Sequence, residues 1–205
     1  MASTNKKYTP WHLYFALLLD KLLTPVGVQV HAEYKVMTEP PQADVVLQWD
    51  KNKFWTNAQR ARMPNGVRDS QAYHLILEFK YTESANLMAF QKTLGYDAFY
   101  RDKHKLERSA VETFLVSSIT PNQELLDNLG YQQKDHNGVY RSSHLMMKQV
   151  TLLILNELSD APYNAYAKMF ASRQDPKTEA QQYLVDDVLP TLPQSCAMWS
   201  KRLSI

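Results

Sequence analysis

The sequence is poor in the residues that build several common kinds of site. Its single cysteine, Cys196, can form no internal disulfide and no multi-cysteine zinc centre. Cys196 lies in a proline-flanked tail without a neighbouring histidine, and no catalytic role is assigned to it. The six histidines, His12, His31, His74, His104, His136 and His144, are scattered. None has the paired spacing of a histidine metal motif, so any metal would be held by oxygen. The five glycines are scattered too, which leaves no glycine-rich loop to grip the phosphates of a small nucleotide. No apolar run approaches the roughly 20 residues of a membrane span. The one segment resembling a targeting signal, Trp11 to Leu19, is short, contains His12 and runs into Asp20-Lys21. It lacks a small-residue cleavage pattern and reads better as a buried N-terminal helix. A soluble, cytoplasmic protein is expected.

What is present is ordinary globular material. Hydrophobic residues make up 44% of the 205 and charged residues 21%, enough for a sizeable core and unlike a disordered chain. The length fits a single domain spanning 1–205. The formal net charge is only +2, so attraction to an acidic partner must come from local clustering.

Along the chain, a helix is expected from Trp11 to Leu23, beginning after Pro10 and stopping before Thr24-Pro25. Val26 to Met37 alternates, with Val28, Val30, Ala32 and Tyr34 on one face, as a half-buried strand does. Glu39-Pro40-Pro41-Gln42 turns the chain into a second strand, Ala43 to Trp49. Residues 51–72 show no clear periodicity and include the turn signal Pro64-Asn65-Gly66. A third strand covers Tyr73 to Thr82, a helix 86–102 and a fourth strand Ala110 to Ile119. Beyond these, a short helix at Asn122 to Leu129 and a hairpin turn at His136-Asn137-Gly138 are expected. Val150 to Leu155 reads as a buried strand, with a helix from Ser143 to Leu158 as its competitor. Two short helices near 162–173 and 177–188 would finish the domain.

The chemistry lies in Glu78-Phe79-Lys80. Residues two apart on a strand share a face, roughly 6.6 Å apart, so Glu78 and Lys80 stand side by side. Leu75, Leu77 and Phe79 face the other way, into apolar packing. An acid and a base on one face of a buried strand are costly unless paired or placed at a site. Asp44 opens the preceding strand, and antiparallel pairing would bring it beside the later part of the third. Two carboxylates with open positions suit Mg²⁺ or Mn²⁺. Such an ion activates water and neutralises charge on a phosphoryl group. Lys80 would orient that water or stabilise the transition state.

Asp44 followed by Glu78-x-Lys80 on the next strand, in the order helix, three strands, helix, strand, resembles the PD-(D/E)XK nuclease superfamily. Asp44-Val45-Val46, Leu77-Glu78-Phe79-Lys80-Tyr81 and Gly95-Tyr96 are similar to the recombination-promoting nuclease and transposase group within it. The resemblance spans about residues 10 to 120, with weaker similarity around Leu155-Asn156-Glu157-Leu158. It implies an α/β, restriction-endonuclease-like core of a helix, a three-strand antiparallel meander, a helix and a fourth strand. A mixed extension over 121–205 would follow. It also implies that Asp44 and Glu78 hold the metal while Lys80 assists the attacking water. The family's first-motif proline is displaced here, since Gln42-Ala43 stands between Pro41 and Asp44. Some relatives carry a glutamine and a tyrosine four apart on the next helix. Gln91 and Tyr96 are five apart, which puts them about 140° apart around a helix. Of the two, Gln91 is kept as a catalytic candidate. Asp20 and Glu33 are possible auxiliary ligands.

Residues 51–68 carry Lys51, Lys53, Arg60, Arg62 and Arg68 with no acid among them, and include Phe54 and Trp55. A basic loop with aromatics suits a nucleic-acid backbone; its bland alternative is a solvated loop. Arg101, Lys103, Lys105 and Arg108 are better explained as charges complementing a helix C-terminus. The expected function is hydrolysis of DNA phosphodiester bonds with Mg²⁺ or Mn²⁺. RNA is an open alternative, as is a homodimer for cutting both strands. The rivals are a non-catalytic nucleic-acid-binding or interaction protein of the same fold, and a hydrolase of another phosphate ester.

Overall fold

The computed structural model describes residues 10–35, 42–50, 55–178 and 180. Helix α1 (Trp11–Leu23) leads into strand β1 (Gln29–Lys35), followed by β2 (Gln42–Gln48), a one-turn helix α2 (Asn57–Arg60) and β3 (His74–Lys80). Then come α3 (Leu87–His104), β4 (Val111–Ser117), α4 (Gln123–Asn128), β5 (Tyr131–Gln133), β6 (Val139–Ser142), β7 (Val150–Ile154) and α5 (Ala165–Lys168). The strands form one mixed sheet in the order β1-β2-β3-β4-β7-β6-β5. β1, β2 and β3 are an antiparallel meander, whereas β4 runs parallel to β3, and β7 parallel to β4. β6 and β5 close the far edge antiparallel. The chain is therefore α/β with a seven-stranded mixed sheet.

Apolar alternation decides which side each helix covers. Leu75, Leu77 and Phe79 of β3 join Val45 and Leu47 of β2 in a core with Phe15, Leu19 and Leu23 of α1 and with Tyr166 and Phe170 near α5. On the other face, Val46 and Ile76 pack with Tyr96 and Tyr100 of α3, and Leu115 and Leu152 pack with Ala89 and Phe90. Helices thus cover both faces, as parallel central strands require. Asn86 caps α3 by accepting the Ala89 amide at 3.0 Å, one of the unpaired donors at a helix start.

Segment 150–154 is a strand and not a helix. It is buried along its whole length between β4 and β6, a position only an extended segment can fill. The 3-10 turn Thr24–Val26 delays β1 to Gln29. The expected single face of β1 also breaks. Val28 and Val30 pack toward α1, but Tyr34 packs toward α3, because Glu33 between them takes a left-handed backbone with φ 47°. At the hairpin between β5 and β6, Gly138 has φ 76°, and a side chain there would meet the Ile154 carbonyl at 2.7 Å. The expected helix near 162–173 is a 3-10 turn at Pro162–Asn164 running into α5. The one near 177–188 lies almost entirely outside the described residues.

Candidate active site

The three residues expected to carry chemistry meet where β2 and β3 part. Backbone pairing of these strands runs from Gln48↔His74 to Val45↔Leu77. Beyond it the Phe79 amide donates instead to the Asp44 side chain, Oδ2, at 2.7 Å. β3 is still held on its other side by β4, through Lys80↔Ser117. Glu78 and Lys80 are thus fixed on a strand whose neighbour has just given way to a carboxylate.

Glu78 is only 4% exposed. Lys80 Nζ donates to its Oε1 at 2.7 Å, while Oε2 is buried without a hydrogen-bond partner. Burial, and then the nearby Asp44 carboxylate, push the Glu78 carboxyl up from 4.5 to about 7, against the pull of Lys80. For Lys80, burial works against the charge, but Glu78 first, then Asp44 and Glu83, outweigh it and raise its pKa above the usual 10.5. Lys80 is held as a cation. It can donate hydrogen bonds and stabilise negative charge, but it cannot accept a proton near neutral pH.

Asp44 and Lys80 line an open cleft of about 130 Å³ with Trp11, His12, Phe79, Tyr81, Thr82 and Glu83. Trp11 packs against Tyr81 with ring centroids 4.4 Å apart. Among the described residues no three His, Cys, Asp or Glu side chains gather as a complete metal cage. What is present is a pair of carboxylates, one with a buried oxygen that no protein donor satisfies. Two hard oxygen ligands with the remaining positions open fit Mg²⁺ or Mn²⁺, which keep several waters and dislike all-protein cages. An unpaired oxygen in a buried carboxylate is otherwise costly.

Gln91 and Asp20 do not line this cleft. Gln91 is exposed on α3, and the sheet-facing row of that helix is Ala89, Thr93, Tyr96, Asp97 and Tyr100. The angular offset that separates Gln91 from Tyr96 therefore turns the glutamine away. Tyr96, set aside on sequence, is the one that approaches the acids. Burial and then Glu78 and Asp44 raise its hydroxyl pKa to about 12. Asp20 accepts the Thr24 hydroxyl at 2.6 Å, at the end of α1. Glu33 is engaged by His12.

The basic loop connects β2 and β3 at their ends away from the cleft. It joins the end of β2 to the start of β3, whereas Asp44 begins β2 and Glu78 lies late in β3. At about 3.3 Å per residue, the His74 end of β3 is about 13 Å from Glu78. Arg60 donates to the Arg68 carbonyl, and the Arg68 guanidinium lies 3.6 Å over the Tyr163 ring. Both are fastened within the fold. Arg62 bonds the Ala58 carbonyl at an exposed position. Lys51 and Lys53 lie outside the described residues. Of the second cluster, Arg101 and Arg108 pair with the buried Asp97, and Lys105 pairs with Asp102. These pairs hold Arg101 and Arg108 on a buried carboxylate and leave Lys105 exposed.

Sequence reading missed His12, Glu83 and the place of Tyr96. His12 and Glu83 carry no local signal, since only folding brings α1 and the segment after β3 to the ends of β2 and β3. Comparison of the chain with family models, with curated proteins and with solved structures found no match.

Proposed function

We propose that this protein is a metal-dependent nuclease of the PD-(D/E)XK type that hydrolyses DNA phosphodiester bonds. One observation carries the reading. Asp44 and the buried Glu78 approach each other at the point where β2 and β3 separate, Glu78 Oε2 has no partner, and Lys80 stands at 2.7 Å. The element order α1, antiparallel β1-β2-β3, α3, parallel β4 supports it, as do the residues in which the sequence resembles that superfamily.

In this reading Asp44 and Glu78 hold Mg²⁺ or Mn²⁺, which lowers the pKa of a water and neutralises charge on the phosphoryl group. The Phe79 amide fixes one oxygen of Asp44, so that ligand needs little reorganisation. Lys80, permanently charged, donates to the attacking water or to a phosphate oxygen as negative charge builds there. The apolar rows beneath, Leu77 and Phe79 against α1, keep β3 rigid and so keep the two acids in register.

The test is cleavage of supercoiled plasmid and linear duplex DNA with Mg²⁺, with Mn²⁺, and with chelator. Metal-dependent cleavage that Lys80→Ala abolishes without loss of DNA affinity is the expected result. Cleavage that persists in chelator rejects the metal mechanism. Absence of cleavage with either ion on any DNA or RNA tested favours the rival of a non-catalytic binding protein.

A further inference from the structure

We propose that His12, held in place by Glu33, donates the proton to the leaving oxygen at this site. The inference rests on the nuclease reading and extends it to residues outside the Asp44, Glu78 and Lys80 set.

His12 comes from the first turn of α1, yet it lines the same cleft as Asp44 and Lys80. Its Nε2 is 2.8 Å from Glu33 Oε1, across 21 residues of sequence. Glu33 reaches it from a left-handed backbone, φ 47°. The kink falls between the register pairs Ala32↔Val45 and Tyr34↔Ala43, directly across from Asp44. Glutamate has no intrinsic liking for that conformation. A left-handed non-glycine residue is strained and tends to mark functional sites. The contact it makes does not offset that strain, because the Glu33 side chain is 51% exposed and His12 26% exposed. Pairs so open to water stabilise a fold little. Stability therefore does not explain why Glu33 bends toward α1. An imidazole fixed by a carboxylate on one nitrogen, with the other available, is the arrangement that orients a histidine for proton transfer.

In this proposal the residues of α1 and those of β2 and β3 serve opposite ends of a displacement. The starts and ends of β2 and β3 bring Asp44 and Lys80, with Glu78 behind them. The start of α1 brings His12. In-line attack at phosphorus places the entering and departing oxygens on opposite sides. With water entering beside Lys80, the proposal puts the departing oxygen at His12. The water oxygen bonds to phosphorus as the bond from phosphorus to the leaving oxygen breaks. The proton on His12 Nδ1 moves to that oxygen, which departs as a hydroxyl. The water's proton passes to solvent, and solvent restores the imidazole proton. Nothing is oxidised or reduced.

The experiment compares two DNA substrates in Mn²⁺. One is natural, and in the other the leaving oxygen, identified from the wild-type product ends, is replaced by sulfur, which departs without protonation. His12→Ala is expected to slow the natural substrate by about 100- to 10,000-fold, the usual range for a general acid, and the sulfur substrate by less than about 10-fold. Glu33→Gln should slow the natural substrate less and the sulfur substrate hardly at all, as befits a positioning residue. Lys80→Ala should slow both. Thermal unfolding checks each variant, and His12→Asn replaces His12→Ala if that variant does not fold. An equal loss on both substrates, a loss of Mn²⁺ affinity, or no loss at all overturns the role of His12 while the nuclease reading stands. No cleavage of either substrate by wild type removes both.

Discussion

Replacing Glu78 by glutamine removes one charge and keeps nearly the same shape, so it isolates what that buried charge costs the fold. Burial and the neighbouring Asp44 raise the carboxyl from 4.5 to about 7. At 1.36 kcal/mol per unit, holding it ionised costs about 3 kcal/mol at pH 8. The folded state binds this proton more tightly than the unfolded chain, so stability from this residue falls as pH rises through the window 4.5 to 7. In Glu78→Gln the amide oxygen can still accept from Lys80, now 2.7 Å from Glu78 Oε1. Without metal at pH 8 the variant should be about 1–3 kcal/mol more stable, a rise in Tm of roughly 2–12 °C for a chain of this size. Its stability should also lack the fall between pH 4.5 and 7 that this residue contributes. Millimolar Mg²⁺ or Mn²⁺ should then raise the Tm of wild type and leave the variant unmoved. Thermal unfolding followed by circular dichroism over pH 4–8, with and without the ion, measures all of this. A variant less stable than wild type at pH 8 without metal would refute the reasoning, because the Glu78–Lys80 pair would then be a net contributor to the fold.

Asp44→Asn should lose both cleavage and Mn²⁺ affinity while remaining folded, since asparagine can still accept the Phe79 amide; calorimetric Mn²⁺ titration checks the affinity. Arg60→Ala should lower stability by about 1–2 kcal/mol through its lost carbonyl contact, and leave the salt dependence of DNA binding unchanged. Arg62→Ala, at an exposed position, should lower stability by less than about 0.5 kcal/mol, as urea unfolding would report. Gly138→Ala should destabilise by about 2 kcal/mol or more, because its left-handed φ and the Ile154 carbonyl at 2.7 Å both oppose a side chain. Unchanged urea midpoints there would contradict the turn geometry.

The sequence carries the elements better than it carries their ends and directions. β3 was legible because Leu75, Leu77 and Phe79 alternate with Ile76 and Glu78, and the odd set does enter the α1 core. The approach of Asp44 to Glu78 was legible because two consecutive strands pair antiparallel. The same pairing puts the strand ends that the 51–68 segment joins away from Asp44 and Glu78. β1 misled because alternation assumes regular backbone, which Glu33 breaks. Between Gln91 and Tyr96, the face of α3 turned to Val46 and Ile76 selects the tyrosine, and spacing along the helix does not reveal which face that is. His12 could not be found from spacing, since its partner Glu33 is reached only through the fold.

Plasmid cleavage in Mg²⁺ by identically prepared wild type, Asp44→Asn and Glu78→Gln tests the central claim most directly. The account predicts cleavage by wild type and a loss of at least about 100-fold in each variant, because each removes one of the two proposed metal ligands. Equal cleavage by all three preparations would contradict it, and would place any activity away from the junction of β2 and β3.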